Sequence, residues 1–335
     1  MSDKKILLGH GSGGRLTHNL IEELLLKKLN NPILKELSDS ALINYRETIA
    51  FTTDSFVVSP LNFAGGDIGK LAVCGTINDL VMLGALPEYL SLALIIEEGL
   101  DYKILEKIVD SISLHAKKTG VYFVTGDIKV VEKGACDKLF INTSGIGRVI
   151  KNKNLSVKNI RAGDKIIVTG RIGQHGMAVL VKRKELDLEF NIKSDCNALN
   201  DLIIPILKNT EAIKFMRDPT RGGIATTLNE VAKASELGII IKEKNIPVST
   251  KVRAACELLG IDPLYVANEG RAILIVGPDK AKNVLGSLKK HPLGRNAREI
   301  GEVVKEPRGQ VVLSTILGTQ RIVDMLTSEP LPRIC

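Results

Sequence analysis

The chain has no tryptophan, and only 4% of its residues are aromatic. A surface that grips single-stranded nucleic acid stacks bases on aromatics set among basic residues. The net charge of +8 is carried by scattered lysines, so solvated helix faces are expected rather than a nucleic-acid surface. Anionic small molecules remain candidates. No uncharged stretch approaches the roughly 20 apolar residues of a membrane helix, and no membrane partner is expected. Met1, Ser2, Asp3, Lys4 and Lys5 lead into only three apolar residues before Gly9, which makes no signal peptide. No CxxC pair occurs among Cys74, Cys136, Cys196, Cys256 and Cys335. Their odd number and wide spacing argue against a disulfide framework or a zinc cluster, and for a reducing cytoplasm. His10, His18, His115, His175 and His291 fall at no metal-ligand spacing, and no G-x-S-x-G elbow is present. A Walker A loop is also missing: Gly69 and Lys70 would need glycine where Ala64 stands and a hydroxyl residue where Leu71 stands.

What is present is an ordinary globular composition, 335 residues with 44% hydrophobic and 25% charged, long enough for two domains with separate cores. Strands are expected at 6–8, 48–58, 90–96, 121–124 and 139–149, and helices at 16–29, 67–83 and 102–112. A lysine- and asparagine-rich connector at 151–158 follows. The alternation then restarts, with strands at 165–169, 238–241, 272–276, 299–304 and 310–313. Helices are expected at 177–184, 198–208, 222–235, 250–259 and 279–290. The fold class is α+β, with one domain over 1–152, a second over 153–326 and a flexible tail over 327–335.

Gly9, Gly11 and Gly14 satisfy G-x-G-x-x-G between a strand and a helix. A glycine-rich turn into a helix offers several N–H groups to phosphate. The dinucleotide version also needs a second strand ending in an acid about 20 residues on. Residues 30–40 contain Pro32 and no strand pattern, so nucleotide phosphate is favoured over NAD. Without a Walker loop, carboxylate-bound magnesium is the plausible phosphate clamp. Acids stand in suggestive settings: Asp54 in a β-rich run, Asp79 inside an apolar helix, Asp127 after a strand with Lys129 two residues on. Asp218 precedes a helix, and Glu269 lies in a glycine-rich turn. Burying such acids is costly unless they are paired or bound to cations. The last residues, Pro330, Leu331, Pro332, Arg333, Ile334 and Cys335, place a thiol on a proline-stiffened arm. The nine residues 327–335 span at most roughly 30 Å, enough to swing a loaded sulfur between an active site and a partner.

Taken together, segments 9–14, 51–58, 78–87, 126–131, 218–223 and 268–271, with the ending Pro332, Arg333, Ile334, Cys335, resemble the HypE family of hydrogenase maturation proteins. That family lies within the aminoimidazole ribonucleotide synthetase-like ATP enzymes. The matches run from end to end. One departure is Ile128, where a threonine is expected; the hydroxyl beside Asp127 is lost. The resemblance implies two α+β domains, a homodimer built through the N-terminal sheets, and ATP in the cleft. It implies a carbamoyl group taken onto the terminal thiol from the carbamoyltransferase HypF. ATP-dependent dehydration then gives a thiocyanate, and cyanide passes to iron on a HypC–HypD complex. Asp54, Asp79 and Asp127 would hold Mg2+. Gly11, Gly13, Gly14, Asn78, Asp218 and Asn268 would contact the nucleotide. Cys335 carries the group, Glu269 or Lys129 takes the proton, and Arg333 steers the tail. Rival readings are a selenophosphate synthetase, which would need a cysteine within residues 1–20 where none occurs, a nicotinamide oxidoreductase, and a docking protein without catalysis.

Overall fold

A computed structural model describes residues 5–11, 15–34, 45–183, 191–325 and 333–335. Gly13, Gly14, Leu331 and Pro332 lie outside the described residues. The first helical stretch runs through α1 (Arg15–Leu20), a π-helical turn (Ile21–Leu26) and α2 (Lys27–Leu29). The first sheet has the order β1-β6-β4-β5, built from β1 (Ile49–Phe56), β4 (Ala85–Glu97), β5 (Tyr122–Val131) and β6 (Leu139–Val149). A small hairpin, β2 (Asn62–Phe63) with β3 (Gly66–Asp67), follows β1.

Two helices cover one face of this sheet. In α3 (Ile68–Met82) every residue but Lys70 and Asp79 is buried, so it has no broad solvent face, and these two charged side chains are only half-buried. Its N-terminus is capped by Asp67, which accepts from the Lys70 amide at 2.9 Å. Gly69 lets α3 approach α4 (Tyr102–Thr119), since a Cβ there would stand 2.7 Å from the Ile108 carbonyl. In α4 the apolar positions fall on one stripe, Leu105, Ile108, Val109 and Ile112. It ends at Gly120, which takes the left-handed conformation (φ 74°) usual one residue past a helix.

The second sheet has seven strands in the order β13-β12-β9-β11-β7-β10-β8. They are β7 (Lys165–Val168), β8 (Ile213–Arg217), β9 (Gly238–Lys242), β10 (Ile273–Val276), β11 (Arg298–Val304), β12 (Val311–Ser314) and β13 (Gln320–Ile322). Helices α5 (Gln174–Val181), α6 (Asn200–Asn209), α7 (Gly223–Ser235), α8 (Thr250–Leu259) and α9 (Pro278–Lys290) belong to this half. One apolar core joins α3 and α4 to α5, α6 and α9, so the two halves share packing. A second core lies around α7 and the strands β9 and β11.

The expected strand at 6–8 is not formed. Ile6 exchanges backbone bonds with Gly99 and Leu100, but the chain then tightens into a 3-10 turn, Leu8–Gly11. The His10 ring closes that turn by accepting from the Leu7 amide at 3.0 Å, a local side-chain bond that competes with strand pairing. Strand β4 starts five residues before the expected 90, at Ala85. Its Pro87 is tolerated because the register shifts between Pro87 and Tyr89. Strands β8 and β13 were not expected; both are short, and polar residues break their alternation.

Candidate active site at the seam between the sheets

The inner face of the first sheet is fixed by strand alternation. Phe56, Ile141, Leu94 and Ile128 form one row across β1, β6, β4 and β5, and all four are buried against the helices. Asp54 lies two residues from Phe56 and so shares that inner face. Gly75 on α3 leaves it room: a Cβ at Gly75 would meet the Phe56 ring at 3.0 Å and Asp54 Oδ2 at 3.7 Å. Asp79 reaches the same space from α3 and accepts from Thr52 Oγ1 at 2.8 Å. From the second half come Asp218, ahead of α7, and Glu269, ahead of β10.

These acids crowd one another with little cationic relief. Burial first, and then Asp79, push Asp54 up to about 6. Asp79 is raised by its own burial, against the hydroxyl of Thr52. Asp218 is pushed up to about 7, by burial and then by Asp79. Glu269, only 3% exposed, is raised well above the carboxylate range by burial, with Asp218, Asp54, Asp195 and Asp79 adding to it. Its Oε1 has no hydrogen-bond partner among the described residues. A buried carboxyl with raised proton affinity and a free oxygen is equipped for proton transfer. Arg221 stands 3.9 Å from Asp54. It is set there by the Gly222–Gly223 turn, where a Cβ on Gly223 would meet the Leu264 carbonyl at 2.5 Å.

Two expected nucleotide contacts serve as braces. Asn78 donates to the carbonyls of Asn197 (3.1 Å) and Glu269 (3.2 Å) and accepts from the Leu199 amide (2.8 Å). It ties α3 to the loops of the second half. Asn268 accepts from the Gly173 amide at 2.8 Å and donates to the carbonyls of Pro219 and Val266, each at 3.0 Å. Gly11 lies in the 3-10 turn.

Asp127 and Lys129 do not join the cluster within one chain. Asp127 shares a row with Ala93, Asn142 and Ser55, so it projects from the face opposite Asp54. It pairs with Lys129 at 4.0 Å, both side chains 66% exposed. Among the described residues no three His, Cys, Asp or Glu side chains gather closely enough to hold a metal by themselves. Sequence reasoning missed Asp195. Its side chain is fully buried; it accepts from the Gly270 amide at 3.2 Å and faces Arg271 Nε at 3.6 Å. No local pattern around it marks this role.

Arg333, Ile334 and Cys335 are seated rather than free. The Val57 amide donates to the Cys335 carbonyl (3.1 Å) and the Ser59 amide to that of Arg333 (3.2 Å), a short antiparallel pairing beyond the end of β1. The Arg333 guanidinium donates to Asp137 (2.7 Å) and to the Val57 carbonyl (3.0 Å), and lies over the Phe140 ring. Arg183 donates to the Arg333 carbonyl at 3.0 Å. Ile334 is buried, and its carbonyl meets His175 Nε2 at 2.9 Å. Val57 is three residues past Asp54, so Cys335 sits about 10 Å along the strand direction from that acid.

Two α+β halves meeting at an acidic seam define an AIR synthase related protein: the N-terminal domain model of that family matches residues 37–149, and the C-terminal one matches 161–314. More narrowly, the chain belongs to the HypE family of hydrogenase maturation proteins. It is 47% identical over 330 residues to the carbamoyl dehydratase HypE of Bradyrhizobium diazoefficiens, covering 98% of this chain and 95% of that protein. The crystal structure of a hydrogenase maturation protein HypE in complex with ATP superposes with a TM-score of 0.95 at 46% identity, covering 98% of this chain and 99% of the other. The HypE chain of a HypE–HypF complex gives 0.81 at 48% identity, covering 92% and 99%.

Proposed function

We propose that this carbamoyl dehydratase carries its substrate on Cys335 and dehydrates it at the acidic seam. An S-carboxamide is phosphorylated on oxygen by ATP, the two nitrogen protons are removed, and phosphate departs as the C≡N bond completes. The products are the S-thiocyanate, ADP and phosphate. The observation that carries this reading is the seat of Cys335 on the end of the strand that bears Asp54. Glu269 is the proton acceptor the burial favours, with Lys129 as the alternative. Gly11, Gly13, Gly14 and Asp218 are proposed nucleotide contacts, Asn78 and Asn268 acting as braces around them.

Magnesium fits the pair Asp54 and Asp79: both are hard oxygen donors held above their usual proton affinity, and Mg2+ takes one or two carboxylates plus phosphate oxygens. When bound it would neutralise phosphate charge. Asp127 fits that set only if a second chain covers the outer sheet face. That face carries Phe51, Ile146, Tyr89 and Tyr122 in one row, with Phe51 64% exposed, which supports a homodimer formed through it. Domains are drawn at 1–152 and 153–326, with 327–335 as the arm. HypF is the proposed carbamoyl source and a HypC–HypD complex the proposed cyanide acceptor. A reducing cytoplasm suits a carrier thiol in a chain whose five cysteines are not bridged by disulfides. Intact mass after incubation with a carbamoyl donor system tests the reading. Loading should add a carboxamide and ATP should then remove one water; a Cys335→Ala chain that still yields cyanide would sink it.

A further inference from the structure

The buried imidazole of His175 takes no part in the chemistry above, yet it is bonded at both nitrogens. It lies in the first turn of α5, edge-on to Phe63 with ring centres 5.2 Å apart. The start of that helix is fastened to the chain that runs into Glu269. Gly173 donates to Asn268 Oδ1 (2.8 Å) and Gly176 to the Ala267 carbonyl (3.1 Å). His175 Nε2 is 2.9 Å from the Ile334 carbonyl. A carbonyl only accepts, so Nε2 carries the hydrogen. Burial favours the neutral ring, which leaves Nδ1 bare to accept from Ser194 Oγ at 2.8 Å. The Ser194 oxygen in turn accepts from the Cys196 amide at 3.0 Å. Between those two residues, Asp195 holds the Gly270 amide. The last carbonyl before Cys335 is therefore gripped from the same scaffold that holds Glu269, by two routes.

We propose that His175 is a positioning residue for the dehydration: it fixes the Ile334 carbonyl, and with it Cys335, relative to Glu269, while Ser194 locks the ring in its donating tautomer. The proposal rests on Cys335 being the carrier. Ile334 is 1% exposed, so without an N–H facing it the Ile334 carbonyl would lose a bond that water does not readily replace.

The test follows alkylation of Cys335 by iodoacetamide, read by peptide mass mapping, beside dehydration of chains already carbamoylated and Mg-ATP affinity. His175→Phe keeps the ring shape and removes the donor. Alkylation should rise and dehydration fall, each about five- to tenfold, with ATP affinity unchanged. His175→Gln can return an N–H to the Nε2 position and should restore both. Ser194→Ala should cause a smaller version of the same change, and add nothing in the His175→Phe background. A native alkylation rate in His175→Phe would overturn the proposal. So would a Gln variant as impaired as Phe, a full additional effect of Ser194→Ala, or a parallel loss of ATP affinity. Alkylation needs no turnover, so protection of Cys335 that depends on His175 in a chain that never dehydrates would separate failure of the carrier reading from failure of the latch.

Discussion

Two pairs of charged residues lie on opposite faces of the first sheet, Asp54 of β1 with Asp79 of the covering helix α3, and Asp127 with Lys129 of β5, and they differ in nearly everything else. Asp54 and Asp79 face inward, lose water, and are raised in proton affinity. Asp127 and Lys129 face outward, largely in water, where an ion pair contributes about 1 kcal/mol or less. The cause is the two-residue alternation of a strand, which sends Asp54 to one face and Asp127 to the other. The inner pair is completed by Asp218 and Glu269 from the other half of the same chain. The outer pair has no such complement among the described residues.

The largest expected effect tests whether chemistry belongs to the inner group. Glu269→Gln keeps the size and most of the hydrogen bonding but takes no proton. Dehydration should fall about a hundredfold or more while Mg-ATP still binds. Native turnover in single-turnover assays would move the base to the outer face, to Lys129.

Next in size is Asp54→Asn. Mg-ATP affinity measured by calorimetry should fall about tenfold or more, because a charge leaves the proposed cation shell. Stability should move the other way. The folded protein holds the Asp54 proton more tightly than the unfolded chain does, from 3.8 up to about 6. This acid therefore makes the nucleotide-free protein less stable as pH rises from about 4 to 6. Above that range Asp54→Asn should stabilise it by about 1–3 kcal/mol, and near pH 4 the gain should vanish. Melting curves that are equal at pH 8 would mean the inner acids are not crowded.

The inner acids were legible in the sequence because each stands in a conspicuous place: Asp79 in an apolar helix, Glu269 and Asp218 beside glycines. Their meeting was not legible, since β1, α3, β8 and β10 converge only through long-range pairing. Asp54 and Asp127 looked equivalent as acids at strand positions; only register told them apart. Asn78 and Asn268 were expected to contact the nucleotide on the family resemblance alone; that their side chains also hold loops together depends on partners up to 191 residues away. The failed strand at 6–8 came from counting apolar residues without weighing the His10 ring that closes the turn. His175, Ser194 and Asp195 gave no signal because the bonds that join them to one another, to Ile334 and to Gly270 span 19 to 159 residues.

A smaller effect asks whether the outer pair is completed by a second copy. If Lys129 of one chain serves the seam of another, Lys129→Ala and Glu269→Gln chains, each inactive alone, should complement on mixing. Half of random dimers would be mixed, and each would hold one site with both native groups. Activity should return to about a quarter of native, provided the dimer forms. No recovery, with mixed dimers verified by mass, would confine Lys129 to its own chain. Phe51→Glu, which puts a charge in the apolar row, should lower the sedimentation-derived mass and abolish the recovery.

The smallest effect concerns Arg333, the outer-face counterpart of the His175 grip. Its guanidinium meets Asp137, which is held below the usual carboxylate range chiefly by that hydrogen bond, and it also donates to the Val57 carbonyl. Side-chain exposures of 36% and 40% leave the ion pair open to water and salt, so its contribution is at most about 1 kcal/mol. Asp137→Asn keeps an acceptor in place and removes only the charge. Alkylation of Cys335 should quicken about two- to threefold at low salt, and the difference should shrink as salt rises past roughly physiological strength. An effect as large as that of His175→Phe, or one indifferent to salt, would mean that the charged side of the seat carries more than its exposure allows.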